Sequence, residues 1–159
     1  MSGQLAKSIR ETVVNPGNLA IFWLGQAGFV YKTSEGTVLY VDPYLTDSVH
    51  RQLSHELYGF KRIMMAPIAP EEVETDYIVC THAHADHLDI DLVAVLADDG
   101  RVTFVGAPDC EAGFMAQGIP AERRITMTLG QPLMCGDVRL LPVAADHGDL
   151  APDALGLVL

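Results

Sequence analysis

The stretch Val79–Asp89, "VCTHAHADHLD", decides the reading of this chain. Three histidines and an aspartate fall within six residues, directly after the apolar run "DYIVC". Histidines at i and i+2 leaving a strand point their rings to the same side, so His82 and His84 converge on one point. Asp86 and His87 follow where the chain turns into a helix capped by Asp89, and face the same mouth from a second direction. Neutral imidazoles with a carboxylate suit zinc, and also manganese or iron. Four ligands are too many for one catalytic ion with an open position, and suit two ions a few ångströms apart. An isolated histidine in a core is ordinarily just hydrogen-bonded; four ligand-type residues in six positions are not explained that way.

Around the motif the chain reads as α/β. "LAIFWL" (19–24), "GFVYKT" (28–33) and "TVLYVD" (37–42) predict an antiparallel meander after the turn cluster "NPGN". Residues 1–18 read as an N-terminal extension, residues 19–159 as one domain, and Trp23 as core. A polar, loosely helical stretch covers 49–60, and the prolines around 64–73 predict irregular surface. From Thr75 strands alternate with helices: strand 76–82, a helix from Asp89 to a stop at Gly100, strand 101–107, and a short helix opened by Pro108. Short strands follow at 124–128, 131–135, 137–145 and 153–159, with Cys135-Gly136-Asp137 as a hairpin turn.

Composition narrows the classes. Hydrophobic residues make up 49% and charged residues 19% of the 159, which fits a packed globular domain. With 21 acidic against 10 basic residues and a net charge of −11, no Lys/Arg cluster is available for a phosphate backbone, which argues against nucleic acid. No apolar run approaches the ~18 residues of a membrane span. Cys80, Cys110 and Cys135 are odd in number and widely spaced, which predicts buried, reduced thiols in a cytoplasmic protein.

Read as His82-x-His84-x-Asp86-His87, the motif resembles the signature of the metallo-β-lactamase superfamily of metal-dependent hydrolases. "PGNLAIFWLGQAGFVYKTSEGTVLYVDPY", "VTFVGAPDCEAGFMAQGIPAERRITMTLGQ" and "VRLLPVAADHGDLAPDALGLVL" are similar to the branch that contains the L-ascorbate-6-phosphate lactonases. The resemblance implies an αβ/βα sandwich, of which this chain supplies about the first half. It implies a first ion on His82, His84 and His147, the last in "PVAADHGD", and a second site begun by Asp86 and His87, which also take the catalytic roles. Asp42 in "YVDPY" would support these ligands from behind. The implied cofactors are two divalent ions, zinc or manganese, with a shared hydroxide attacking a lactone or ester carbonyl. Asp146 and Asp149 flank His147 and are candidates to orient it. Trp23 and Gln26 would line the start of the pocket, while His50 and His55 read as surface.

The family's bridging carboxylate and last histidine have no counterpart here, and sequences of this branch are longer. The chain is therefore expected to be the N-terminal half of a larger protein, with the C-terminal half as its partner and a small molecule as substrate; oligomers are common in this branch. Rival readings are another hydrolase on the same scaffold (phosphodiester, thioester or acyl amide), a di-iron redox member, and a non-catalytic metal-binding fragment.

Overall fold

The computed structural model describes residues 3–55 and 60–159. Its centre is a six-stranded sheet in the order β1-β2-β3-β4-β5-β6. β1 (Leu19–Gly25), β2 (Gly28–Thr33) and β3 (Val38–Val41) form the antiparallel meander. β4 (Tyr77–Cys80), β5 (Thr103–Gly106) and β6 (Arg124–Thr126) then add in parallel. A parallel neighbour requires a crossover. Between β4 and β5 it is α3 (Ile90–Leu96), with Leu92, Val93 and Leu96 on its buried face. Between β5 and β6 it is α4 (Glu111–Ala116), whose Phe114 ring sits 5.6 Å from Phe104.

The helices share one face of the sheet. A Cβ at Gly106 would lie 2.6 Å from Cys110 Cβ and 2.8 Å from the Phe114 ring, so a side chain there is excluded. The same face receives α1 (Gln4–Glu11), because Lys32 Nζ donates to the carbonyls of Ile9 and Arg10 and Ala6 and Ile9 are buried. The first 18 residues thus contribute a packed helix. Its signal was the apolar i, i+3 spacing of Ala6 and Ile9.

The opposite face carries a second sheet, β7-β8-β9, made of β7 (Leu133–Cys135), β8 (Val138–Ala144) and β9 (Leu155–Val158). Gly136 N donates to Tyr77 Oη and Thr33 Oγ1 to Asp137, which fasten the β7–β8 hairpin over β2–β4. Cys135 and Leu140 are fully buried beneath it. This cover does not reach β1. Leu19, Ile21 and Trp23 share its outer face by register, and Trp23 is 57% exposed. The expectation of a core Trp23 is therefore wrong: an apolar run reads as buried on both faces, whereas here only one face of β1 is packed.

One further reading changes. Residues 64–73 are largely irregular, with a 3₁₀ turn at Pro70–Glu72, but Ile68 is completely buried and Val73 nearly so. Of the expected helical stretch, α2 covers Ser48–Leu53, and 56–59 lie outside the described residues. All three cysteines are buried and free, and burial raises each thiol pKa, so they remain protonated and inert.

Candidate metal centre

The β1–β2 turn and the ends of β3, β4 and β5 all lie on one edge of the sheet, where open α/β sheets bind ligands. At this edge β3 delivers Asp42, β4 delivers the histidine motif, and β5 leads into Asp109.

Asp42 is 5% exposed and sits at φ 46°, a left-handed conformation that a short polar side chain tolerates. Its Oδ1 accepts from Thr81 N at 2.7 Å, and its Oδ2 accepts from Thr81 Oγ1 at 2.7 Å. His87 Nδ1 lies 2.9 Å from the same Oδ2. A carboxylate only accepts, so His87 donates from Nδ1 to Asp42. The single Thr81 hydroxyl proton is spent on Asp42. His82 Nδ1, 3.2 Å from Thr81 Oγ1, must then be the donor of that pair. His82 Nε2 is left with its lone pair facing the cluster, and one buried carboxylate sets the tautomer of two imidazoles.

His82 Nε2 lies 3.1 Å from His84 Nδ1, and the His147 ring stands 4.7 Å from His82 and 4.9 Å from His84, edge-on to both. One ring nitrogen from each of His82, His84 and His147 falls within 4.8 Å of the others. Two backbone bonds build this convergence. Leu155 N donates to Thr81 O, tying the start of β9 to the motif, and Ala144 pairs with Leu155, so the loop carrying His147 is closed over the strand end. From the other side, Asp109 Oδ2 accepts from Ala83 N at 3.0 Å and fixes the backbone between His82 and His84. Asp89 caps α3 and accepts from Leu45 N, Thr46 N and Thr46 Oγ1, which locks the 43–46 loop to the turn after the motif. Sequence reading missed Asp109 and Thr81, whose roles depend on contacts across the fold.

Asp86 and His87 are placed differently. His87 packs on His82 at 4.0 Å between ring centroids, and its Nε2 is 3.9 Å from Asp86 Oδ2. Among the described residues they join no group of three candidate ligands. Asp146 Oδ1 accepts from Gly148 N and so shapes the loop, and among the described residues no hydrogen bond joins Asp146 or Asp149 to the His147 ring. His50 is half-buried, with Nδ1 unpartnered among the described residues, whereas His55 is exposed.

The electrostatics separate the two histidines that Asp42 supports. Burial, with His87 and His84 alongside, pushes the His82 pKa down to about 4 against the pull of Asp42. Burial also works against the His87 imidazolium, but the hydrogen bond and charge of Asp42, with Asp86 behind, outweigh it and raise its pKa. His82 is neutral at physiological pH, as a metal ligand must be. Three converging imidazoles, with the His82 tautomer set by its neighbours, fit a divalent ion of the zinc class. Beside them a cavity of about 710 Å³ is lined by His84, Asp86, Phe60 and Leu150 among others.

Residues 37–159 match the beta-lactamase superfamily domain. The chain is 27% identical to the probable L-ascorbate-6-phosphate lactonases UlaG of Salmonella paratyphi B and Escherichia fergusonii, over 86% of its own length and 44% of theirs. It thus spans less than half the length of these relatives. Among solved structures it resembles CmlA, a diiron β-hydroxylase from Streptomyces venezuelae (TM-score 0.61, 16% identity, 90% of this chain and 27% of that one). It also resembles a metallo-β-lactamase from Staphylococcus aureus (TM-score 0.51, 14% identity, 88% and 36%). The meander and the parallel strands are those of part of a metallo-β-lactamase fold, and the chain belongs to the beta-lactamase superfamily.

Proposed function

We propose that this chain is the metal-binding part of a metal-dependent hydrolase that opens a lactone or ester, of the sugar-acid phosphate lactone type. The observation that carries the reading is the convergence of His82, His84 and His147 beside an open cavity, with the His82 tautomer set by Thr81 and Asp42. These three residues would hold the first ion, and Asp86 and His87 would begin the site of a second; zinc or manganese suits the donor set. A divalent ion there supplies Lewis acidity to a carbonyl oxygen and acidifies water, so no separate strong base is needed. The protein's own part is to keep His82 neutral, to orient His87 through Asp42, and to place Asp86 at the cavity wall.

The relatives are more than twice as long as the matched region, and the outer face of β1 is apolar and uncovered. A C-terminal half forming a further β layer over Leu19, Ile21 and Trp23 is the partner this reading calls for. A non-catalytic metal-binding role is the second reading, favoured by the isolation of Asp86 and His87 from any three-ligand group.

The test is hydrolysis of a panel by zinc- or manganese-loaded protein: a phosphorylated sugar-acid lactone against a phosphodiester, a thioester and an acyl amide. The lactone should turn over fastest, and the His84→Ala variant should be inactive. Full activity in that variant would sink the assignment. An intact bound ion with no turnover of any substrate would select the second reading.

A further inference from the structure

Beside the metal cavity lies a second one of about 440 Å³, between Gly25 and Gln26 of the β1–β2 turn and Phe60, Lys61 and Arg62 opposite. The two cavities border one residue in common, Phe60, so they are neighbours at the strand-end edge. In a chain with 21 acidic residues, no carboxylate among the described residues lines this second compartment, although Lys61 and Arg62 also border a cavity that Asp47 lines. Most other cations are engaged: Arg10, Arg51, Arg101 and Arg124 pair with carboxylates, and Lys32 and Arg123 donate to backbone carbonyls. Lys61 and Arg62 have no ion-pair partner among the described residues.

Arg62 is positioned. It stacks over the Tyr44 ring at 4.8 Å, its Nη1 donates to Tyr44 O, and its Nε donates to Met64 O. Nη2 is left without an acceptor among the described residues and lies against Gly25, where a Cβ would stand 3.4 Å from it. Gly25, at φ +93°, supplies both the turn and the room for the guanidinium edge. The 43–46 loop that anchors Arg62 is the one held by Asp89, so the guanidinium is tied to the same framework as the histidine motif.

We propose that Lys61, Arg62 and Gln26 form a phosphate-binding subsite that holds the anionic end of a substrate while its carbonyl reaches the metal centre past Phe60. An Arg edge and a Lys point charge are the donors that recognise a phosphate dianion, and the Gln26 amide adds a neutral donor. The assignment rests on the hydrolase reading for its biological substrate, but its binding test does not.

Trp23 is the sole tryptophan of the chain, and its Nε1 donates to Gln26 O at 2.9 Å, so its fluorescence reports on this turn. The experiment titrates metal-free, full-length chain with inorganic phosphate, and separately with acetate, at matched ionic strength. Phosphate should give a saturable change with a midpoint well below that of acetate. Lys61→Gln should raise the phosphate midpoint about ten-fold, the loss of one charge-assisted contact, with an unchanged melting temperature. Arg62→Lys, which keeps the charge but not the fork, should raise it by less. No saturable change, an equal response to acetate, or an unmoved midpoint in Lys61→Gln would overturn the subsite. Because no metal or turnover enters the titration, failure of the hydrolase assignment would show in the substrate panel and not here.

Discussion

His82 and His84 on one side, and Asp86 and His87 on the other, come from the same six residues and end in different situations. The first set joins His82 and His84, from the end of β4, to His147, from the loop clamped between β8 and β9, and its ring nitrogens meet. The second set is two adjacent residues, one with its ring held by Asp42 and the other with a half-exposed carboxylate. A motif alone supplies ligand types; a site requires residues distant in sequence to be brought to it. His147 arrives 60 residues after the motif's last histidine because Thr81 O receives Leu155 N, and for Asp86 and His87 no such third residue stands among the described ones.

The largest test of this contrast is removal of one member from each set. His84→Ala should weaken zinc binding by at least ~100-fold in a chelator competition, since losing only a ligand's hydrogen-bonded support already costs about 10–100-fold. His87→Ala should weaken the first ion less than ~10-fold on the same scale. Equal losses would erase the distinction between the sets.

Asp42 links them. Asp42→Asn keeps the size but offers an NH₂ where Thr81 and His87 require an acceptor, so it should cost ~10–100-fold in zinc affinity. It should also destabilise the metal-free chain by roughly 2–3 kcal/mol in a denaturant melt, because buried donors lose their acceptor. A loss of stability with no loss of affinity would show that Asp42 holds the fold and not the tautomers.

Acidification sharpens the contrast. In the metal-free chain, an imidazole titration followed by NMR should find His82 protonating at about 4 and His87 above its ordinary value. For His82 the unfolded chain takes up the proton first. The native state therefore loses stability as pH falls from about 6.5 towards 4. For His87 the sign is opposite: its contribution is full below the unfolded value and fades as pH rises through the raised folded one. His82 and His87 titrating together would mean that Asp42 does not distinguish them.

The smallest effect is expected at Asp109. Asp109→Ala frees Ala83 N and should cost ~1 kcal/mol of stability, with only a few-fold change in zinc affinity. A loss as large as that of His84→Ala would make the backbone between the histidines part of the binding set.

Much of this was legible in the sequence. The alternation of 28–33, the β4 run before the motif and the Asp89-capped helix follow local rules, and the fold uses them in place. Trp23 was misread because "LAIFWL" does not say which of its faces is covered. Asp109 was missed because its partner lies 26 residues away across two strand ends. Ile68 was lost among prolines, where turn chemistry hides a single buried side chain. The tautomers of His82 and His87 follow only from the shared acceptor at Asp42, a relation that no spacing encodes.

The most direct measurement is a zinc titration of the metal-free chain, read by native mass and by the ring signals of its histidines. One ion should bind ahead of any other, shifting His82, His84 and His147 together, and His147→Ala should lose it while His87→Ala keeps it. Undiminished binding in His147→Ala, or two ions bound with equal affinity, would contradict the account.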